Sequence, residues 1–319
     1  ASSTVYSGPI TVSVSETVKA LAVEAGYTNS AVSSATYTIR LSPDITTIAG
    51  TQGGTTNPTK GTVAYGNTIG SPYGVAVAPL ISGAGGDVYF DNSNDYGVYV
   101  IYKGGAAAKA ILAVDGISSP VVGDVYALSL GLDETGPYQP VGLFVDSYGN
   151  LLIADRGYAR VYMLYAGAVT GQGTNPADAL ITADPSTWEV GYGLHVGYLY
   201  HIADGGSIVG SAPTNITPKD VWVDSKENVF FTDGAGNGLV EVVYNTTGTS
   251  ANTILTAEGY TSLKQGYTYI IAGGQSTTTY PHDNDGGSSV AYNGSTSTAN
   301  TALNNPWGIY GDAAGDLIL

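Results

Sequence analysis

The side chains best suited to metal binding or acid–base catalysis are few in this sequence. It contains three histidines and no cysteine, which excludes disulfides, thiolate metal sites and cysteine nucleophiles. His195 and His201 are six residues apart, so a continuous strand would hold both on one face as a two-ligand metal site. Because Gly197 lies between them and makes that continuity doubtful, we interpret both as ordinary surface or turn histidines.

A second candidate for metal binding is the run His-Asp-Asn-Asp-Gly-Gly at residues 282–287. Asp283 and Asp285 are spaced as in an oxygen-rich calcium loop, but the later bidentate acid of such a loop does not follow. The sequence contains no His-Glu-x-x-His, Gly-x-Ser-x-Gly or phosphate-binding glycine motif. We therefore predict no catalytic residue, metal or cofactor, and keep His195, His201, Asp283 and Asp285 as weak metal candidates.

The composition excludes several classes of function. Lys and Arg number 10 against 26 Asp and Glu, so the 319 residues carry a formal charge of −16, and such a surface repels nucleic-acid backbones. No apolar run approaches the roughly 20 residues of a membrane-spanning helix. The many Ser, Thr, Gly and Tyr residues and the scarcity of Lys, Met and Cys fit an extracellular or cell-surface protein.

Two further features of the composition bear on the surface, and each leaves two interpretations open. Asn-x-Ser/Thr triplets at Asn215, Asn245 and Asn293 are glycosylation candidates, but a chain rich in Asn, Ser and Thr also contains such triplets by chance. The 25 tyrosines either form a sugar-binding surface by ring stacking or fill the faces of sheets.

Short strands must position these groups, because alternating runs such as Ile10–Val14, Val98–Tyr102 and Val240–Tyr244 recur between glycines and prolines. No stretch of ten or more residues shows convincing helical periodicity. The best helical candidate, Gly105–Val114, is rich in Ala but short and flanked by glycine. The sequence therefore predicts an all-β fold.

An internal repeat predicts the architecture. Its first strand begins at a proline and reaches an Asp or Ala six residues later, with copies starting at Pro72, Pro140, Pro218 and Pro306. Second and third strands follow each of the first three copies. Further recurring runs bring each unit to about four or five antiparallel strands. Among them are the runs at 110–113 and 179–182, and those at 45–50 and 125–131. The spacings of 68 to 88 residues indicate propeller blades with long insertions.

Aspartates stand at the turn between the first and second strands, at Asp146, Asp224 and Asp312. A carboxylate at this position accepts backbone N–H groups of the tight Asp-x-x-Gly-Asn turn. Because they occur once per repeat at the turn, we favour this structural role over a metal site.

The repeat resembles NHL-repeat β-propellers over roughly residues 45–319, most closely at residues 140–161. That resemblance implies a propeller of the kind that mostly serves as a binding platform, with a minority of lyases and hydrolases. Residues 1–42, with the runs at 6–12, 16–27 and 30–39, resemble the second half of the immunoglobulin-like module at the C-terminus of chitobiase-type enzymes. The resemblances predict a partial β-sandwich at 1–43 and a propeller at 44–319 whose last blade is truncated.

These observations lead to a functional hypothesis with two alternatives. We expect a non-catalytic extracellular or cell-surface structural protein of a bacterium, not an enzyme, that forms filaments. Either self-association through incomplete β-structure at the chain ends supplies the missing strands, or those strands lie in the same polypeptide. The alternatives are a glycan- or peptide-binding propeller and a metal-dependent lyase or hydrolase of the NHL type.

Overall fold

The structure is a computed structural model that describes residues 5–11, 15–38, 47–51, 54, 56–81, 84–130, 139–168, 173–183, 193–204, 216–234, 240–243, 255, 260, 262–272, 306–312 and 317–319. The chain divides into two compact units, Ala1–Thr47 and Ile48–Leu319. The predicted boundary between 43 and 44 lies outside the described residues and stays a prediction. Within the described residues, no helix has the length and apolar character needed to cross a membrane.

The first unit contains one two-stranded antiparallel sheet. Strands β1 (Glu16–Ala20) and β2 (Ser33–Tyr37) pair with Glu16 opposite Tyr37, and nearly all of their side chains are exposed. Of the predicted strand at 10–14, residues 10 and 11 lie in no strand, and residues 12–14 are outside the described part. No helix occurs among the described residues of this unit, and the partial immunoglobulin-like sandwich stays a prediction.

The described residues of the second unit form four successive antiparallel sheets, which we call sheets I to IV, and a small separate hairpin. Sheet I contains β3 (Thr62–Val63), β4 (Val75–Val77), β7 (Val88–Asn92), β8 (Gly97–Ile101) and β9 (Asp124–Ala127) in the order β3-β9-β8-β7-β4. Strands β5 (Leu80–Ile81) and β6 (Ala84–Gly85) form the hairpin.

The next two sheets share a four-stranded meander, and the last has two described strands. Sheet II consists of β10 (Pro140–Val145), β11 (Leu151–Asp155), β12 (Arg160–Leu164) and β13 (Leu199–Asp204). Sheet III consists of β14 (Pro218–Val223), β15 (Val229–Asp233), β16 (Val240–Val243) and β17 (Thr268–Ala272). Sheet IV contains β18 (Tyr310–Gly311) and β19 (Leu317–Ile318). The predicted all-β class is confirmed.

The core lies between consecutive sheets. Side chains of β10 such as Leu143 and Val145 pack toward sheet I, whereas Val221 and Val223 of β14 pack toward sheet II. Trp222, on the opposite face of β14, packs with Ile309 in front of sheet IV. This alternation explains why the strands of sheets II and III are apolar on both faces, since each of these two sheets is covered by a neighbour on either side.

The first strands of neighbouring sheets approach closely, which gives the unit a propeller-like arrangement. Strand β10 contacts both β4 and β14, and β14 contacts β18. A Cβ atom on Gly142 would lie 2.5 Å from the Cα of Asp220, so only glycine allows β10 and β14 to pass at this distance. The recurring glycine after the proline thus sets the spacing between these inner strands.

Two helices correct the expectation that the runs at 110–113 and 179–182 are strands. They lie in α1 (Ala106–Val114) and α2 (Ala177–Ala183), between the third and fourth strands of sheets I and II. The physical reason is packing, because α1 buries Ala107, Ala108, Ile111 and Leu112 in the core between sheets I and II. Such burial stabilises a nine-residue helix that would be marginal alone.

Sheet I has an outer strand that the sequence did not predict. Strand β3 pairs with β9, with Thr62 opposite Val125. The run at 45–50 was predicted to be a recurring strand of the repeat, and its described residues make one isolated bridge, from Gly50 to Tyr65.

Candidate functional site

The turns between the first and second strands are organised by aspartate. In sheet II, Oδ1 of Asp146 accepts the backbone N–H groups of Tyr148 at 2.9 Å and Asn150 at 2.8 Å. Its Oδ2 accepts the side-chain amide of Asn150 at 2.7 Å. The sequence predicted this structural role, and the geometry confirms it at Asp146.

Asp224 repeats the arrangement in sheet III. Its Oδ1 accepts the N–H groups of Lys226 at 2.8 Å and Asn228 at 2.9 Å, and its Oδ2 accepts the Asn228 amide at 2.9 Å. The corresponding turn after Asp312 lies outside the described residues. The predicted role is therefore confirmed at two of its three positions.

A second set of aspartates, which the sequence analysis did not single out, organises the opposite ends of the inner strands. Asp91 lies near the end of β7, and its Oδ1 accepts the N–H groups of Tyr73 and Gly74, both at 2.7 Å. Asp155 accepts the N–H of Gln139 at 2.9 Å, and Asp233 accepts that of Thr217. Each carboxylate thereby holds the start of the adjoining inner strand.

An open cleft of about 480 Å³ lies beside the turn ends of the inner strands. Its walls are apolar and are made by three inner strands, and its polar groups come from the two Asp-Ser pairs at the turns. The lining residues are Val75, Ala76, Val77, Pro79, Leu143, Phe144, Val145, Asp146, Ser147, Val223, Asp224 and Ser225. This combination of apolar walls and few polar groups is typical of ligand sites.

Glu227 joins the two turns. The hydroxyl of Ser147 in sheet II donates a hydrogen bond to Oε1 of Glu227 in sheet III, at 2.7 Å. The side chain is buried, at 5% exposure, and its backbone has a φ of +63°. Glycine occupies the same turn position in sheet II, where Gly149 has a φ of +86°. A glutamate in this conformation is uncommon and carries backbone strain.

The environment of Glu227 favours its protonated form at neutral pH. Burial is the main cause and the charge of Asp146 the next, and together they raise the pKa of Glu227 to about 8. Asp146 accepts three N–H donors that stabilise its carboxylate, whereas Glu227 has the Ser147 hydroxyl. The proton of this pair therefore belongs on Glu227.

The polar residues of the cleft can form hydrogen bonds with a ligand. The acid–base pair Asp146 and Glu227 lies next to them. Asp146, Ser147, Asp224 and Ser225 are the polar residues among those that line the cleft. Glu227 accepts the hydroxyl hydrogen of Ser147. Ligand groups that donate hydrogen bonds, such as hydroxyls and amines, match this arrangement.

The two histidines do not share the predicted strand face. His195 precedes a turn at residues 196–197, and β13 begins at Leu199, so the strand continuity that a two-ligand site requires is absent. The backbone N–H of His195 donates to the Tyr200 hydroxyl at 2.8 Å. His201 is buried, with its Nε2 at 3.2 Å from Arg160 and its ring against Tyr162.

The remaining predicted site residues lie outside the described part of the chain. These are the calcium-loop candidates Asp283 and Asp285 and the glycosylation candidates Asn215, Asn245 and Asn293. Among the residues that the structure does describe, no group of three or more His, Asp or Glu side chains could hold a metal ion.

Glu227 and Ser147 are the functional residues that sequence reasoning missed. Glu227 aligns with Gly149 in the repeat, and a charged residue at a position that favours glycine is a signal that could have drawn attention to it. Ser147 gave no such signal, because its contact with Glu227 spans two sheets and 80 residues of sequence.

Comparison with protein families gives one match, confined to the first unit. A family described as Fn3 associated matches residues 1–37. No curated protein matches the chain.

Three solved structures that resemble the chain are named as lyases, all at low similarity. A virginiamycin B lyase from Staphylococcus aureus is 14% identical, with 56% of this chain and 53% of that chain covered and a TM-score of 0.26. A streptogramin B lyase is 16% identical, with 55% and 51% covered and a TM-score of 0.25. A catalytically inactive virginiamycin B lyase with quinupristin is 14% identical, with 56% of each chain covered and a TM-score of 0.25.

The chain thus spans about half the length of these solved structures. They correct the prediction that the chain is not an enzyme, because the proteins it resembles are enzymes. At these TM-scores the resemblance assigns no substrate and no reaction to this chain.

Proposed function

We propose that the second unit is an NHL-type propeller module of an extracellular protein, and that it binds a glycan or peptide in the cleft at the turn ends of its inner strands. The observation that carries the proposal is the cleft itself. Three inner strands line it with apolar side chains, and two Asp-Ser pairs supply its polar groups.

The polar groups of the cleft favour neutral or cationic ligands. Two acidic residues, Asp146 and Asp224, line the cleft, and the chain as a whole has a formal charge of −16. Sugar hydroxyls or peptide amines would donate to these carboxylates and to the serine oxygens, while Val75, Val77 and Phe144 would contact apolar faces of the ligand. Anionic ligands would be repelled at this end of the module.

An array of neutral, amino and acidic oligosaccharides together with short peptides tests the proposal. We expect binding of neutral or amino members, measured by calorimetry, and loss of at least tenfold in affinity for Ser225→Tyr, which fills the cleft. Ser129→Tyr, at an exposed position outside the cleft, is the control and should bind as the parent does. Binding that is equal in both variants, or absent for the whole array, would contradict the proposal.

A second candidate function is assembly of the protein into surface filaments, and exposed apolar residues of sheet IV favour it. Tyr310 and Ile318 are 60% and 59% exposed, and within the described residues no further strand pairs with β19. A strand from a second copy would satisfy that edge and cover both side chains. Sedimentation velocity should then show concentration-dependent oligomers that Ile318→Lys abolishes, and a monomer at all concentrations would refute assembly.

A further inference from the structure

The opposite ends of the inner strands carry a separate group of residues around Lys219. This lysine is the second residue of β14, and its side chain is buried, with 5% exposure for the residue. Its ammonium nitrogen lies 4.6 Å from the centroid of the Trp307 ring. In the described part of the chain it makes no hydrogen bond and no ion pair, although an ammonium has three donors to satisfy.

A second basic residue lies at the same end of the inner strands. Arg156 is exposed and follows Asp155, which pairs with Pro140 at the start of β10, and a Cβ atom on Gly142 of β10 would lie 2.6 Å from the carbonyl oxygen of Lys219. Burial lowers the pKa of Lys219, and the charge of Arg156 adds to this effect, whereas Asp233 acts in the opposite sense. Two of the ten basic residues of a strongly acidic chain therefore converge at one place.

The aromatic ring beside the two cations is only partly covered. Trp307 is 47% exposed, and its backbone is fixed by a hydrogen bond from the Thr232 hydroxyl to its carbonyl oxygen at 3.0 Å. An indole that is anchored at its backbone and open on part of its surface offers a stacking platform for a sugar ring. The neighbouring ammonium and guanidinium are suited to bind a carboxylate on that ring.

We propose that Lys219, Arg156 and Trp307 form a binding site for an acidic sugar, with its carboxylate on the two cations and its ring against the indole. This site is distinct from the cleft. Lys219 is five residues from Asp224 along β14, which corresponds to about 16 Å of extended strand. The inner strands thus carry acidic groups at one end and basic groups at the other.

Binding of digalacturonate to the full chain, followed by calorimetry and tryptophan fluorescence, tests the site. Lys219→Met keeps the apolar stem and removes the charge, and we expect it to weaken binding at least tenfold. Lys264→Met is the matched control, because its ammonium also lies over an aromatic ring, that of Tyr267, at 5.2 Å. It should bind as the parent protein does.

Two further comparisons keep the proposal falsifiable if Lys219→Met fails to fold. Arg156→Gln changes an exposed residue, and we expect it to weaken binding about threefold without altering thermal unfolding. Digalactose, which lacks the carboxylates, should bind at least tenfold more weakly than digalacturonate. The proposal is overturned if digalacturonate does not bind, if Arg156→Gln has no effect, or if acetate binds as tightly as the sugar acid.

Discussion

The turns at 146–150 and 224–228 share their hydrogen bonds but differ at the third and fourth residues. Both place an aspartate at the first position and an asparagine at the fifth, with matching N–H contacts. The fourth residue is Gly149 in one turn and Glu227 in the other, and both have positive φ. The comparison shows that the aspartate specifies the turn, whereas the fourth position is available to carry a buried acid.

Replacement of the aspartate is expected to have the largest effect on the stability of either turn. Asp146→Ala removes three hydrogen bonds of a buried carboxylate and leaves Asn150 donors unpaired, so the free energy of unfolding should fall by about 3–5 kcal/mol. Asp224→Ala removes the same set in sheet III. Urea denaturation measures both, and equality of both variants with the parent would show that the aspartates do not specify the turns.

The pH dependence of stability is the next largest effect. An isolated glutamate in the unfolded chain ionises near its ordinary pKa of about 4.3, whereas folded Glu227 does so at about 8. The folded state therefore holds an extra proton between these values, and stability falls as the pH rises through this window. At about 1.4 kcal/mol for each pKa unit, the contribution is at most about 5 kcal/mol.

Glu227→Gln isolates that contribution. The variant should lose less stability than the parent between pH 4.5 and 8, while Asp91, whose burial raises its pKa to about 6, continues to contribute in both proteins. Denaturation at a series of pH values measures the difference. Parallel stability curves for the two proteins would show that Glu227 is ionised in the folded state at neutral pH.

A smaller effect is expected at the glycine of the other turn. Gly149→Ala introduces a Cβ at positive φ that would lie 2.4 Å from the Cβ of Ala107 in α1, so it combines backbone strain with a steric clash. We expect a loss of about 2 kcal/mol in urea denaturation. Gly173→Ala, at a φ of +82° with open space around it, is the matched control and should show the strain alone.

The smallest effect concerns the backbone strain of Glu227. Glu227→Gly and Glu227→Ala both remove the carboxyl group, but only glycine adopts the positive φ without cost. The glycine variant should therefore be about 1 kcal/mol more stable than the alanine variant. If the alanine variant equals or exceeds it, the turn changes conformation when the side chain is removed.

The sequence was informative where one residue determines a local structure. Asp146 and Asp224 recur at a fixed place in the repeat, so their turn role could be predicted. The helix α1 could not, because a nine-residue segment gains its stability from burial between two sheets, which periodicity alone does not report. Lys219 and Trp307 gave no signal because 88 residues separate them in the chain, and only the packing of sheets III and IV brings them together.

The inner strands are not joined in the same way at every junction. Between sheets II and III the missing side chain of Gly142 allows direct backbone approach. At the equivalent place in sheet III stands Asp220, whose Oδ2 accepts the N–H of Ile309 in sheet IV at 3.0 Å. Burial raises the pKa of Asp220, and protonation would weaken this carboxylate as an acceptor. Acidification therefore loosens the link that Asp220 makes between sheets III and IV.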